Sequence, residues 1–219
     1  MLLSATTENY LKAIYKLNAQ TTIVTTNNIA LALGTTAPSA TDMIKKLALN
    51  KLITHTKYRG VGLTAKGNKA ALTIIRRHRL WELFLNKVLG FKWDEVHQMA
   101  EQLEHVSVPE LIERIDQYLG YPKFDPHGDP IPDAMGKIAK HQYQSLLNEN
   151  SGSLATIVAV TNDDVRFLKQ LEKLNLTIGT KITILAKHDF DNAMEIKPMR
   201  KPAVTISEAL AKNILIQLN

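Results

Sequence analysis

The sequence predicts a mainly α protein with a small β component: a winged helix-turn-helix, then a helical middle region, then a C-terminal β-barrel. Three observations predict it. Apolar residues recur at helical spacing from Glu8 onward, two short runs bracket a glycine-containing turn after the third helix, and from Ser153 the pattern changes to short alternating runs.

Composition narrows the function before any motif is read. With 45% hydrophobic residues over 219 positions, the chain can bury more than one core, which excludes a disordered protein. A formal net charge of +6 favours polyanionic partners such as DNA, RNA or anionic lipid. The absence of cysteine excludes disulfides and thiolate metal sites, so a metal would be held by imidazole, carboxylate, amide or carbonyl groups. No basic start with a continuous apolar stretch opens the chain, and no run of about 18 apolar residues follows. The expectation is a soluble, cytoplasmic protein with no membrane partner.

In the first part, Tyr10, Leu11, Ile14, Tyr15 and Leu17 mark a helix over residues 8–17, with Thr6 or Thr7 placed to cap it. A short helix fits residues 26–33, stopped by Gly34, and a third begins after Thr36 with Pro38 in its first turn. Two helices across a tight turn make a helix-turn-helix, and the runs Lys51–Thr56 and Val61–Thr64 around Gly60 make a hairpin placed as a wing. Such a module offers the start of its third helix to base edges in the major groove. The groove-facing candidates are Thr36, Pro38, Ser39, Thr41, Asp42 and Lys45, and the wing candidates are Lys57, Tyr58 and Arg59.

The middle region carries the metal-ligating residue types. A long helix over residues 65–89 places His78 and Glu82 four apart on one face. A helix over residues 94–105 carries His97, Glu101, Glu104 and His105 at relative positions 0, 4, 7 and 8, which is one narrow stripe. His78, Glu82 and His97 compose one imidazole and carboxylate set, and Glu101, Glu104 and His105 another; such sets suit Mn, Fe, Co, Ni or Zn. A further helix fits residues 111–119. Past a linker over residues 141–152, strand-like runs occupy residues 154–160, 181–185, 193–196 and 203–207, with a helix at 163–174. The domain boundaries read as 1–72, 73–140 and 153–219.

These residues resemble the iron- and manganese-dependent repressors related to the diphtheria toxin repressor, over essentially the whole chain. The resemblance is carried by residues 7–15 (Thr7-Glu8-Asn9-Tyr10 onward), Leu63-Thr64-Ala65-Lys66-Gly67, Arg77-His78-Arg79-Leu80-Trp81-Glu82, His97 through His105, and Pro122-Lys123-Phe124-Asp125-Pro126-His127-Gly128. The last segment, with Ile131-Pro132 after it, is similar to that of the longer manganese-responsive members, whose C-terminal domain is SH3-like.

The resemblance implies a first metal site of Asn9, Glu101, Glu104 and His105, approached by Asp125 and His127 from the loop. It implies a second of His78, Glu82 and His97, helped by the C-terminal domain through Asp163, whose other reading is a helix N-cap. Asn9 stands where manganese-responsive relatives have an aspartate. Glu101 stands where iron-responsive relatives have a cysteine, and Asp125 where some longer relatives do. Harder oxygen donors tilt the preference toward Mn(II), with Fe(II) as the alternative. The implied function is that of a homodimeric repressor of metal-uptake genes, binding a palindromic operator in double-stranded DNA when metal is bound and having no enzymatic activity. Two rivals stand beside it: a metalloenzyme using the His/Glu clusters, and a metal-independent DNA-binding regulator with decayed sites, favoured by Asn9 and Lys12.

Overall fold

The computed structural model describes residues 3–56, 60–106, 108–139 and 142–219. The chain divides into two compact units, Met1–His78 with Glu101–Arg114 and Pro132–Ile138 in one, and Arg79–Ala100 with Ile115–Ile131 and Ala139–Asn219 in the other. No described helix is long and apolar enough to cross a membrane.

In the first unit, α1 (Ala5–Gln20) begins at Ser4, whose hydroxyl accepts the Thr7 amide. The helix therefore starts ahead of the expected Thr6 or Thr7 cap. Helix α2 (Thr26–Ala32) opens with a reciprocal cap between Thr25 and Asn28, and α3 (Ala37–Leu49) is capped by Thr36 with Pro38 in its first turn. Leu11 and Ile14 of α1, Ile29 of α2, and Ala40, Ile44 and Leu47 of α3 are buried in one core. The spacing of the α3 residues turns one face inward and leaves the other in water.

Strands β1 (Ile53–Thr56) and β2 (Gly60–Leu63) pair antiparallel with Ile53 opposite Leu63, so the hairpin read from sequence is present. The Val61 amide donates to the Val24 carbonyl at 2.9 Å, which ties the hairpin to the turn before α2.

Helix α4 (Ala65–Lys87) starts where Thr64 meets β1. The Thr64 amide donates to the Leu52 carbonyl at 3.0 Å, and the Thr64 hydroxyl accepts the Gly67 amide at 3.1 Å. A Cβ at Gly67 would stand 1.9 Å from the Leu52 carbonyl oxygen, so only glycine lets the first turn of α4 lie this close to the hairpin. Helices α4, α5 (Val96–Leu103) and α6 (Pro109–Tyr118) each contribute residues to both units.

The second unit is built on an antiparallel sheet of β3 (Gln144–Ser145), β4 (Leu154–Val160), β5 (Lys181–Lys187), β6 (Met194–Pro198), β7 (Val204–Ile206) and β8 (Ile214–Leu218), in the order β3-β8-β4-β5-β6-β7. Bulges between Ile157 and Ala159 and between Ile184 and Ala186 bend its two central strands. Ile157, Ile184, Ile196 and Ile216 form its core with Leu168 and Leu171 of α7 (Val165–Lys173). The remaining helix, α8 (Glu208–Lys212), precedes β8.

Two sequence expectations change here. The linker expected over residues 141–152 contains β3 and a turn of 3-10 helix whose Leu146 is fully buried in the sheet's core. Strand β8 was not anticipated; its buried Ile214 and Ile216 follow α8 after the single turn residue Asn213.

Substitution Gly67→Ala forces Leu52 and the start of α4 apart and is expected to cost about 1–3 kcal/mol, the usual penalty of overpacking a filled site. Urea denaturation checks this. A midpoint equal to that of the unsubstituted protein would show that the contact relaxes freely.

Candidate functional site

The DNA-facing candidates fall where the burial pattern of α3 leaves them. Thr36, Pro38, Ser39, Asp42 and Lys45 are exposed and Thr41 is half-buried, opposite the inward Ala40, Ile44 and Leu47. The Thr36 hydroxyl accepts the Ser39 amide at 3.4 Å, and Lys45 lies 3.4 Å from Asp42 in an exposed pair. Lys57, Tyr58 and Arg59 lie outside the described residues.

The first unit gathers Glu101 and Glu104 around a lysine. Lys12 Nζ donates to Glu101 Oε1 at 2.8 Å and to both oxygens of Glu104 at 2.6 and 2.8 Å. Glu104 is fully buried, and His78 Nδ1 lies 2.7 Å from its Oε2. His105 Nδ1 donates to Glu8 Oε2 at 2.7 Å, while Arg77 donates to the other oxygen of Glu8 at the same distance. Asn9 Oδ1 is buried with no hydrogen-bond partner among the described residues.

The helix read over residues 94–105 ends at Leu103, so Glu104 and His105 leave it in a turn closed by the Val106 amide on the Leu103 carbonyl. Burial by itself would raise the Glu104 carboxyl. The hydrogen bond with His78 and the charge of Lys12 outweigh it and hold the group below its ordinary range. Glu101 is likewise raised by burial and lowered further by its Lys12 hydrogen bond, with the same net direction.

The second unit gathers Glu82, His97, Asp125, His127 and Asp163. His97 Nδ1 donates to Glu82 Oε1 at 3.0 Å and turns Nε2 toward Asp163 Oδ2 at 3.5 Å. His127 Nε2 donates to the Trp93 carbonyl at 2.7 Å, which fixes the proton on that nitrogen. In the neutral ring the lone pair is therefore on Nδ1, which faces Glu82 Oε1 at 3.8 Å.

Glu82, Asp125 and His127 are all buried, and each offers a ligand atom within 4.8 Å of the others. Burial, then the negative charges of Glu82 and Asp129, hold the Asp125 carboxyl well above its ordinary range, and Arg79 offsets them only in part. Lone pairs and carboxylate oxygens thus face one another across a space that a cation would satisfy. The set contains imidazole and carboxylate donors only, so it fits a hard or borderline divalent metal.

The structure brings the donors together in a different grouping from the spacing. His78 shares Glu104, although it lies one turn from Glu82 on α4. Asp125 and His127, expected at the Asn9 and Glu101 site, stand beside Glu82 instead. The reason is local: Asp125 Oδ1 accepts the amides of His127 and Asp129, and Arg79 binds the Pro130 carbonyl and Asp129, which folds the loop onto α4. Asp164 is the residue that caps α7, leaving Asp163 free to face His97. Sequence reasoning did not single out Glu8 and Arg77 for this site; their signal is that Glu8 stands four residues before Lys12 and that Arg77 adjoins His78.

Known proteins share the order of the chain's segments. The model for the N-terminal DNA binding domain of iron dependent repressors matches residues 2–61, that for their metal binding and dimerisation domain matches residues 64–133, and the FeoA domain matches residues 145–218. The iron-dependent repressor IdeR of Mycobacterium leprae is 28% identical over 191 residues, covering 82% of this chain and 83% of that protein. A solved manganese-dependent transcriptional repressor in complex with manganese superposes with a TM-score of 0.89 at 33% identity, covering 97% of this chain and 99% of the other. The manganese regulator SloR superposes with a TM-score of 0.78 at 33% identity, with coverage of 97% and 98%. With its DNA-binding, metal-binding and FeoA segments in this order, the chain belongs to the diphtheria toxin repressor family of metal-dependent, DNA-binding transcriptional repressors.

Proposed function

We propose that this chain is a Mn(II)-responsive repressor that binds a palindromic operator as a dimer, and that its primary metal centre is Glu82, Asp125 and His127 with His97 and Asp163. The observation that carries this reading is the buried convergence of those three ligand atoms, in a donor set without sulfur. The manganese-bound relative of 0.89 TM-score supports the choice of metal. Since Mn(II) is never the tightest divalent binder at a given site, its selection here depends on oxygen-rich donors and on metal availability.

The domain boundaries proposed are 1–72 for DNA binding, 73–140 for metal binding and dimerisation, and 153–219 for the FeoA-like domain, and the protein acts in the cytoplasm without catalysing a reaction. Exposed Leu89, Tyr118 and Tyr121 supply apolar surface for a second copy.

A bound divalent ion would supply a common centre for α4, α5, the loop of residues 121–131 and the segment ahead of α7. His97 and His127 are already oriented for it, through Glu82 and the Trp93 carbonyl respectively. Thr36, Pro38, Ser39, Thr41, Asp42 and Lys45 would then meet the major groove, with Lys57, Tyr58 and Arg59 on the backbone or minor groove. By linkage, operator DNA must raise metal affinity by the factor that metal raises DNA affinity.

Fluorescence anisotropy on a library of palindromic duplexes at one fixed salt concentration tests this, with the chelated protein and with Mn(II), Fe(II), Co(II) or Zn(II). Specific binding gained with Mn(II) is expected, and Glu82→Ala is expected to weaken the metal response at least about tenfold, as loss of even an outer metal-site group does. Equal operator binding by the chelated protein would instead favour a metal-independent regulator.

A second expectation follows from the sign of the Asp125 shift. A carboxyl whose folded pKa is raised binds protons more readily when folded, so its ionised form costs stability, and that cost sets in as pH rises from the unfolded value through the raised one. Asp125→Asn keeps the acceptor for the His127 and Asp129 amides and removes the charge. Thermal melts at neutral pH in chelator should show a higher midpoint for the variant, and added Mn(II) should raise its midpoint less than that of the unsubstituted protein.

A further inference from the structure

The two donor groups differ in how their negative charge is answered. In the second unit the Asp125 carboxylate is answered in part by Arg79, whose Nε lies 3.6 Å from its Oδ2. In the first unit a full cation already sits among the oxygens. An ammonium has three donors, and Lys12 places them on Glu101 Oε1, Glu104 Oε1 and Glu104 Oε2. Lys12 is 7% exposed and Glu104 is 0% exposed, so this is a dry, charge-assisted pair. Arg77 and His105 each take one oxygen of Glu8.

A hard divalent ion needs carboxylate oxygens at roughly 2.0–2.6 Å, far closer than two cations tolerate each other across shared ligands. Of the four oxygens that Glu101 and Glu104 could offer such an ion, Lys12 holds three. The lysine stem is a flexible four-carbon chain and can swing out without unfolding α1.

We propose that Lys12 is a tethered competitor for the Glu101 and Glu104 site: a specificity-determining residue that lowers the apparent affinity of this site for divalent metal and makes it fill only after the Glu82, Asp125 and His127 site. The inference rests on the metal-dependent reading given above. If the lysine-out arrangement is one in about ten, the apparent Kd rises about tenfold over the intrinsic value. The protein then responds at two metal levels, with the higher threshold set by a residue that is not itself a ligand.

Mn(II) titration of the full-length, chelator-stripped protein, followed by the electron paramagnetic resonance signal of free Mn(II), tests this with the unsubstituted chain, Lys12→Met and Lys12→Arg. Methionine keeps the length and apolar stem without the charge, and arginine keeps the charge. The expected result is a weak class of site in the unsubstituted chain that tightens about tenfold or more in Lys12→Met, with the tight class unmoved and Lys12→Arg no tighter than the unsubstituted chain. A second readout is the thermal midpoint in chelator, which should fall in Lys12→Met and recover with Mn(II). Should methionine prevent folding without metal, Lys12→Gln, whose amide still donates to a carboxylate, takes its place in the same titration. A weak class that is unchanged, weakened or absent in Lys12→Met, with the tight class intact, overturns the inference alone and leaves Lys12 a structural ion pair. Loss of all Mn(II) binding in the unsubstituted chain overturns the metal-dependent reading beneath it.

Discussion

A buried carboxylate must have a cation beside it or give up its charge, and this constraint organises the middle of the chain. Helix α4 carries the consequences along its length. Arg77 answers Glu8, Arg79 answers Asp129 and reaches Asp125, and Glu82 takes a hydrogen bond from His97. Glu104 is answered by Lys12 from α1, a residue 92 positions away in sequence. Where the answer is complete, as at Glu104, the carboxyl is held low; where it is partial, as at Asp125, it is pushed high. The two donor groups are therefore chemically alike and electrostatically opposite.

Much of this was legible from the residues alone. The apolar spacing of the first three helices, Thr36 at the start of α3 and Gly34 as a turn residue are local signals, and they stand in the elements that the spacing implies. The contents of the two donor groups were not local. Spacing put His78 with Glu82 because both lie on one face of α4, whereas the burial of Glu104 and its turn beyond Leu103 bring it to His78. Lys12 was legible from sequence only as a sign of decayed metal sites, because its burial against Glu104 depends on a partner 92 positions away.

The C-terminal unit shows a second kind of loss. Its alternating strands β4 to β7 announce themselves, but β3 is two residues long and sits in a polar stretch that reads as a linker. Leu146 and Leu147 are the clue there, two large apolar side chains in a polar run, the first fully buried and the second packed against the same core. Asp163 and Asp164 illustrate how adjacent identical residues divide labour: backbone geometry gives the second the cap and leaves the first available to the imidazole of His97.

The contact between Trp93 and His127 has an optical consequence. The two rings stack with centroids 6.0 Å apart and planes inclined by 24°, and the backbone carbonyl of the same tryptophan holds the imidazole's Nε2. The chain has only two tryptophans, and the other, Trp81, packs edge-on against Phe84. An indole this near an imidazole changes its emission when that ring coordinates a paramagnetic ion. The molecule thus carries a built-in chromophore at the loop of residues 121–131, and ultraviolet-excited light from Trp93 follows the state of His127 with no label attached.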